Sequence, residues 1–318
     1  MSEIKLRALG AGTPLGFLAA LGALRHTSQM TEQLGDVRLR WERKGSAWSA
    51  VLVTSHEVDE QSLLSLVVER VQNLGPRPEL AWADQIKKNS PEKFRDAIAQ
   101  NADRADWFAA FGTELALSKE NSLKSTDLDM TGGQQKFLSK LRDASTALSA
   151  PEETRALLGE ALFGPWQYRP SKKASELENS HSLGLDPSTI LQGAFTAEEP
   201  AGIKDKRGVR GAIWLAFESM PFFPCAVSNG RLRTTGFTEE YDGHNWKHYF
   251  EWGVWEAPLT TTAIQTLLQQ SRDEWTRQRG ISERFRSERV NLNKDYYSLA
   301  PAELVVAEHT EAPPPALP

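Results

Sequence analysis

Residues 208–259 constrain the fold more than any other part of this chain. They contain, in order, a glycine-opened pattern that predicts an amphipathic helix (GVRGAIWLAFE), an apolar strand pattern bounded by prolines, a hairpin pattern (NGRLRTTGF) and an aromatic strand pattern (HYFEWGVWEAPL). The block contains no catalytic nucleophile motif, metal cluster or phosphate-binding loop. We therefore expect it to pack into a core and to present a charged edge, because a basic cluster precedes it directly.

The composition is that of an ordinary soluble globular protein, with 318 residues, 40% hydrophobic and 25% charged. This length predicts one large or two medium domains. No apolar run reaches the roughly 20 residues that span a bilayer. The longest, residues 15–24, is not followed by a small-x-small cleavage site, so neither a membrane partner nor export is expected. A single cysteine, Cys225, excludes an internal disulfide and predicts a cytoplasmic location.

The pattern along the chain predicts an α+β fold. Residues 1–78 form an N-terminal helix and β-hairpin unit, and residues 79–165 form a central helical bundle. Residues 166–307 form a C-terminal unit of mixed antiparallel strands with helices. Residues 308–318 are rich in proline and poor in bulky side chains, which predicts a disordered tail.

Local signals place several helices and strands. Thr13-Pro14 is an N-cap followed by proline at the first helical position, which predicts a core helix to about Met30. Strand alternation around a central turn predicts a hairpin over residues 37–54. Aromatic and apolar periodicity predicts a helix over residues 105–115, and residues 281–297 are predicted to be partly strand.

The standard catalytic motifs are absent from the sequence, and no cofactor is expected. There is no GxxxxGK[ST], no GxGxxG after a strand, no GxSxG and no HExxH. His244 and His248 have the spacing of a helical metal pair, with Asp242 and Glu239 nearby, but their aromatic neighbours predict a strand. The chain is therefore predicted not to be an enzyme, while an enzyme of unknown class with a carboxylate or histidine site stays the alternative.

Nucleic-acid contacts have better support, even though the net charge is −5, because a local basic stripe sets that affinity. Residues 204–233 contain six basic residues against two acids, and a polar insert adds a basic pair. Arginines at a helix start, and arginines that alternate on a strand, suit phosphate oxygens. The candidate nucleic-acid-binding residues are Lys204, Lys206, Arg207, Arg210, Arg231 and Arg233, with Lys172 and Lys173 as second choices.

Several of these segments resemble a known family. The N-terminal helix TPLGFLAALGAL at residues 13–24 is similar to the start of those proteins. The further matching segments are Leu183-Gly184-Leu185-Asp186-Pro187, residues 207–224, Thr234-Thr235-Gly236-Phe237, Phe250-Glu251-Trp252 with Trp255, and Pro258-Leu259. In this pattern the chain resembles the large-subunit-type proteins of type I-G (formerly I-U) CRISPR Cascade complexes. The match covers about a third of the chain and includes no catalytic motif.

The resemblance implies a non-catalytic subunit of a crRNA-guided surveillance complex in antiviral defence. Its implied partners are the other Cascade subunits, the crRNA, target double-stranded DNA and the Cas3 nuclease-helicase. Guide pairing supplies the sequence readout in such complexes, while protein reads the backbone and a short flanking motif, the PAM. A protein-only scaffold, in which the basic residues meet acidic partner surfaces, is the third possibility beside this subunit and an enzyme.

Overall fold

The computed structural model describes residues 1–131, 136–170, 183–188, 207–270, 272, 275, 277–293 and 296–305. The predicted α+β class is confirmed. The helices of this part of the chain are α1 Pro14–Thr27, α2 Thr31–Leu34, α3 Glu60–Gln72, α4 Pro78–Ala81, α5 Pro91–Gln100, α6 Ala105–Phe111, α7 Phe137–Thr146, α8 Pro151–Leu162, α9 Arg210–Glu218 and α10 Thr261–Gln269. Short 3-10 helices lie at Ala102–Arg104, Met220–Phe222 and Arg277–Arg279.

The strands form antiparallel sheets and hairpins. They are β1 Ser2–Gly10, β2 Val37–Lys44, β3 Ala47–Thr54, β4 Gly112–Leu117, β5 Leu123–Ser125, β6 Arg169–Pro170, β7 Arg207–Gly208, β8 Cys225–Ser228, β9 Arg231–Thr234, β10 Phe237–Tyr241, β11 Trp246–Trp255, β12 Ile281–Asn293, β13 Tyr296–Leu299 and β14 Glu303–Leu304. The predicted tail at residues 308–318 lies outside the described residues. The unit boundaries at residues 78, 165 and 307 stay predictions.

The N-terminal sheet has the order β1-β3-β2, with antiparallel pairing throughout. The predicted hairpin is thereby confirmed as β2 and β3. The predicted N-cap is also confirmed, because the Thr13 hydroxyl accepts a hydrogen bond from the Gly16 amide at 3.1 Å. α1 then packs against this sheet and is buried along nearly its whole length.

The C-terminal sheet has the order β10-β11-β12-β13, and β14 also pairs with β12. The partly-strand prediction for residues 281–297 is confirmed by β12 and the start of β13. β8 and β9 form a separate hairpin around Asn229-Gly230, both of which have positive φ. An Asn-Gly pair adopts that backbone at low cost and suits a tight hairpin turn.

α1 and α9 cross at very close range in the middle of the molecule. A Cβ added to Gly22 of α1 would lie 1.7 Å from the carbonyl oxygen of Leu215 in α9. α9 also lies very close to α8, because a Cβ added to Gly211 of α9 would lie 2.2 Å from the carbonyl oxygen of Leu157 in α8. Glycine at these positions therefore lets three helices stack with their backbones almost in contact, despite its low helix propensity.

Indole groups join the N-terminal strands to the C-terminal sheet. Trp252 Nε1 donates to the Ala11 carbonyl at 2.8 Å, and Trp255 Nε1 donates to the Leu39 carbonyl at 2.9 Å. Trp48 Nε1 donates to a Glu283 carboxylate oxygen at 2.7 Å. Because buried indole N–H groups need an acceptor, these bonds satisfy the rings while they fix the two sheets to each other.

Two local predictions were wrong. The helix predicted over residues 105–115 ends at Phe111, because Gly112 begins a strand that pairs with Ser125. The apolar segment after α9 is a 3-10 turn and not a strand, and its Phe222 and Phe223 are buried in the core. In addition, α9 is buried all round and not amphipathic, since α1, α7 and α8 all pack on it. None of the helices in the described ranges combines the length and apolarity needed to cross a membrane.

Candidate nucleic-acid interface

The structure describes only part of the predicted basic set. Lys172, Lys173, Lys204 and Lys206 lie outside the described residues. For Arg207 the structure describes the backbone alone, which pairs with Pro170 in the short β6–β7 ladder. Arg207 therefore belongs to a strand and not to the helix start, which corrects the prediction that placed it there.

Arg210 is the first residue of α9, as predicted. Its guanidinium lies 3.6 Å from the Glu153 carboxylate in the first turn of α8. Because α8 packs against α9, this acidic first turn comes beside the basic start of α9. The pair is partly exposed, at 21% for the Arg210 side chain and 52% for the Glu153 side chain. Solvent screening keeps the contribution of such a pair to stability at or below about 1 kcal/mol, so a phosphate could displace the carboxylate at low cost.

Arg231 and Arg233 lie on one face of β9, and the prediction that they share a face is confirmed. Both guanidinium groups reach the carboxylate of Glu239 on β10, at 3.9 Å from Arg231 and 2.5 Å from Arg233. The hydrogen bond from Arg233 is the largest cause that lowers the pKa of Glu239. Arg233 is therefore held in place, while the side chain of Arg231 is 62% exposed at the longer distance.

The β10–β11 register adds two aromatic side chains to this basic pair. Tyr241 is paired with Trp246, and Glu239 is paired with His248, so all four project from one side of the ladder. Tyr241 is 57% exposed and Trp246 is 59% exposed, and their ring centroids are 5.5 Å apart. We call the surface formed by Arg231, Arg233, Glu239, Tyr241, Trp246 and His248 the hairpin face.

The opposite side of the same ladder is internally paired. Arg286 contacts both Glu240 carboxylate oxygens at 3.0 Å and lies 4.5 Å above the ring of Tyr249. Lys247 lies 3.5 Å from a carboxylate oxygen of Glu288. The cations on that side are paired with carboxylates, and Arg286 also covers the buried ring of Tyr249. The exposed rings of this ladder therefore lie on the hairpin face.

The histidines do not form the helical metal pair that their spacing allowed. His248 lies on β11, and His244 lies in the preceding turn, where its amide donates to Asp242 at 2.9 Å. The His248 ring is 3.8 Å from Glu239 and 4.0 Å from Asp127. Within the described ranges, no group of three or more histidine, cysteine or acidic side chains is arranged to hold a metal ion.

The exposed Tyr241–Trp246 pair was missed by sequence reasoning. The available signal was an aromatic residue on each side of the four-residue turn DGHN, because a tight hairpin places such residues opposite each other. The aromatic pattern predicts a strand here but does not say which rings are buried, and residues 249–255 are buried while Trp246 is not.

The hairpin face offers two kinds of contact to a ligand. Exposed aromatic rings provide flat apolar surfaces on which nucleobases stack. Arginine side chains beside them provide donors that match phosphate oxygens. No protein-family model matches this chain, and no curated protein matches its sequence.

Proposed function

We propose that this chain is a non-catalytic, cytoplasmic subunit of a type I crRNA-guided surveillance complex, and that its hairpin face binds target DNA. The observation that carries the proposal is the exposed Tyr241–Trp246 pair beside Arg231 and Arg233. The resemblance of the N-terminal helix and the C-terminal segments to Cascade large-subunit-type proteins supports the choice of complex. The proposed partners are the other Cascade subunits, the crRNA, the target DNA and the Cas3 nuclease-helicase.

The geometry favours a single strand over an intact duplex. Tyr241 and Trp246 can stack only on base faces that are exposed, and duplex bases are already stacked on their neighbours. Unwinding of the target exposes such faces on the displaced strand, while the guide pairs with the other strand. Stacking contributes about 1–3 kcal/mol for each base, so two rings provide a sequence-tolerant anchor.

Arg231 and Arg233 have different roles in this proposal. Glu239 holds Arg233 at 2.5 Å, so Arg233 positions the carboxylate and links β9 to β10. Arg231 is more exposed and more distant from the acid, so its guanidinium can turn toward a phosphate. Binding should therefore weaken as salt rises, because each phosphate contact releases condensed counterions.

Fluorescence anisotropy with a labelled single-stranded oligonucleotide tests the surface. The double variant Tyr241→Ala, Trp246→Ala should bind about tenfold more weakly or worse, since two stacking contacts are lost. Arg231→Gln should reduce the salt dependence by about one phosphate contact. Leu304→Ala is the matched control, because Leu304 is an exposed apolar residue elsewhere on the same sheet. Unchanged affinity in the aromatic double variant would refute the DNA-binding role of this face.

The assignment to a guided complex needs a separate measurement. The tagged full chain is purified from its native cells, and the co-purified RNA is sequenced. Enrichment of short RNAs that share a common repeat-derived segment is expected. Partners that persist after nuclease treatment, with no such RNA in untreated samples, would establish the scaffold alternative instead. Bound metal near one ion per chain, lost in His248→Ala, would favour the enzyme alternative.

A further inference from the structure

A solvent-open cavity of about 550 Å³ lies where the C-terminal ends of α1, α3 and α9 converge. It lies on different elements from the hairpin face and shares no residue with it. Its size falls within the range of small-molecule sites, about 300–1,000 Å³. The wall is predominantly polar, and the residues that matter for its chemistry are Arg25, His26, Arg70, Arg77, Arg104 and Glu218.

Two of the arginines belong to a fixed wall. Arg25 contacts Glu218 at 3.4 Å and Asp106 at 2.8 Å. Arg77 contacts Glu218 at 2.7 Å and also forms an ion pair with the buried Glu79. Both guanidinium groups lie over the ring of Trp107, at 5.0 Å and 4.9 Å from its centroid. Carboxylates and the face of the Trp107 ring thus hold these two guanidinium groups in place, so they form a fixed part of the cavity wall.

Arg70 and Arg104 have fewer side-chain partners among the described residues than Arg25 and Arg77 have. The only side-chain partner that the structure gives Arg70 among the described residues is the amide oxygen of Gln29. Burial lowers the pKa of Arg70, Glu218 opposes that shift, and Arg25 adds to it. Among the residues that the structure describes, the ion-pair partner of Arg104 is its neighbour Asp103, which Nε approaches at 3.4 Å. Their remaining terminal N–H groups are therefore available to an acceptor-rich ligand.

His26 is a buried, neutral member of the arginine-rich cavity wall. Its side chain is buried, at 2% exposed, and packs edge-on against Trp214 with the ring centroids 5.2 Å apart. Its Nε2 has no hydrogen-bond partner within the described part of the chain. Burial is the largest cause that lowers the pKa of His26, and with the smaller effects of Arg70, Arg25 and Arg77, in that order, it brings the pKa to about 3. Because this imidazole is neutral, the positive charge of the cavity wall comes from the arginines, and that charge can attract an anion.

Two glutamates restrict which ligands the cavity can bind. Glu32 and Glu69 line it and are exposed. Their carboxylates repel a bare anion, but they accept hydrogen bonds from N–H or O–H groups. A ligand that fits both features carries an oxyanion together with hydrogen-bond donors. A nucleotide has both features, because its phosphate is the oxyanion and the amino and imino N–H groups of its base are the donors.

We propose that this cavity binds a nucleotide through its phosphate, either as a free mononucleotide or as the 5′-phosphorylated end of a nucleic-acid strand. Arg70 and Arg104 receive the phosphate oxygens, and Arg25 and Arg77 supply the fixed positive wall behind them. Glu32 and Glu69 accept from the donors of the base. The proposal does not depend on the hairpin face, because no residue is shared.

Isothermal titration calorimetry on the full chain tests this with 5′-GMP, guanosine and inorganic phosphate. We expect 5′-GMP to bind at least about tenfold more tightly than either of the others, since only 5′-GMP offers both the anion and the donors. A 5′-phosphorylated oligonucleotide compared with its 5′-hydroxyl form identifies the source. Loss of affinity with the hydroxyl form, at equal length, assigns the site to a strand end.

Variants test the residues. Arg70→Gln and Arg104→Gln should each weaken 5′-GMP binding about tenfold. Arg104 is the safer change, because its side chain is 40% exposed and it takes no part in the buried network. Arg38→Gln, an exposed arginine on β2, is the matched control. No binding of 5′-GMP, equal binding of inorganic phosphate, or binding unaffected by both variants would overturn the proposal. The Tyr241→Ala, Trp246→Ala variant should bind 5′-GMP normally, which separates this outcome from that of the hairpin face.

Discussion

Burial of His26 should make the stability of this protein depend on pH in the mildly acidic range. In the unfolded chain an imidazole has a pKa near 6.5, whereas in the folded chain the pKa of His26 is about 3. Below pH 6.5 the unfolded state therefore binds a proton that the folded state does not bind. Stability is fully present above pH 6.5, falls as the pH decreases, and stops falling on this account only near pH 3.

The size of the effect follows from this difference in proton binding. At pH 5 the unfolded imidazole is almost fully protonated and the folded one is neutral. This difference lowers the free energy of unfolding by about 2 kcal/mol relative to pH 8. The free energy of unfolding is measured by urea denaturation at both pH values in phosphate-free buffers. His26→Gln lacks the titrating group, so its free energy of unfolding should fall about 2 kcal/mol less between pH 8 and pH 5.

A matched control separates His26 from the other groups that titrate in this range. His244→Gln removes an exposed imidazole from a hairpin turn and should behave like the unmodified protein. The overall stability of His26→Gln does not enter the comparison, because only its change with pH is used. If His26→Gln lost as much stability as the unmodified protein between pH 8 and pH 5, the imidazole would not be held neutral by burial and the nearby arginines.

Two further predictions concern the α1–α9 crossing and the half-buried Cys225. Gly22→Ala should lower the free energy of unfolding by about 3 kcal/mol, because the added Cβ would lie 1.7 Å from the Leu215 carbonyl oxygen. Gly12→Ala, with nothing within 4 Å of its added Cβ, should stay within about 0.5 kcal/mol of the unmodified protein; equal losses in urea denaturation would contradict the close crossing. Burial raises the pKa of the Cys225 thiol to about 11, so iodoacetamide at pH 8 should alkylate it much more slowly in the folded chain than in urea. Equal rates, followed by mass spectrometry, would show that the thiol is not protected.

Local sequence signals predicted the parts of the fold that depend on local geometry. The Thr13 cap, the Asn229-Gly230 turn and the alternation of β2 and β3 each follow from backbone preferences over a few residues. The same signals failed at Gly112, where pairing with Ser125 overrides a helical apolar pattern. They also failed for α9, because apolar periodicity on one face does not reveal that three helices cover every side.

The two candidate sites differ in how far the sequence could predict them. Arg231 and Arg233 were identified from their charge and strand alternation, but their shared partner Glu239 became visible only in the β9–β10 packing. The cavity could not be predicted at all. Its arginines lie in segments with ordinary charge, and Arg25 meets Glu218 across 193 positions of the chain.

The sequence by itself determined the α+β class, the capped start of α1, the β2–β3 and β8–β9 hairpins and the presence of basic residues near residue 208. Tertiary structure decided which of those charges are already neutralised, which aromatic rings stay exposed and where a cavity opens. The physical reason is the separation along the chain over which each kind of interaction acts. Caps, turns and periodicity act over a few neighbouring residues. Ion pairs and cavities depend on distances of a few ångströms between residues that chain folding alone brings together.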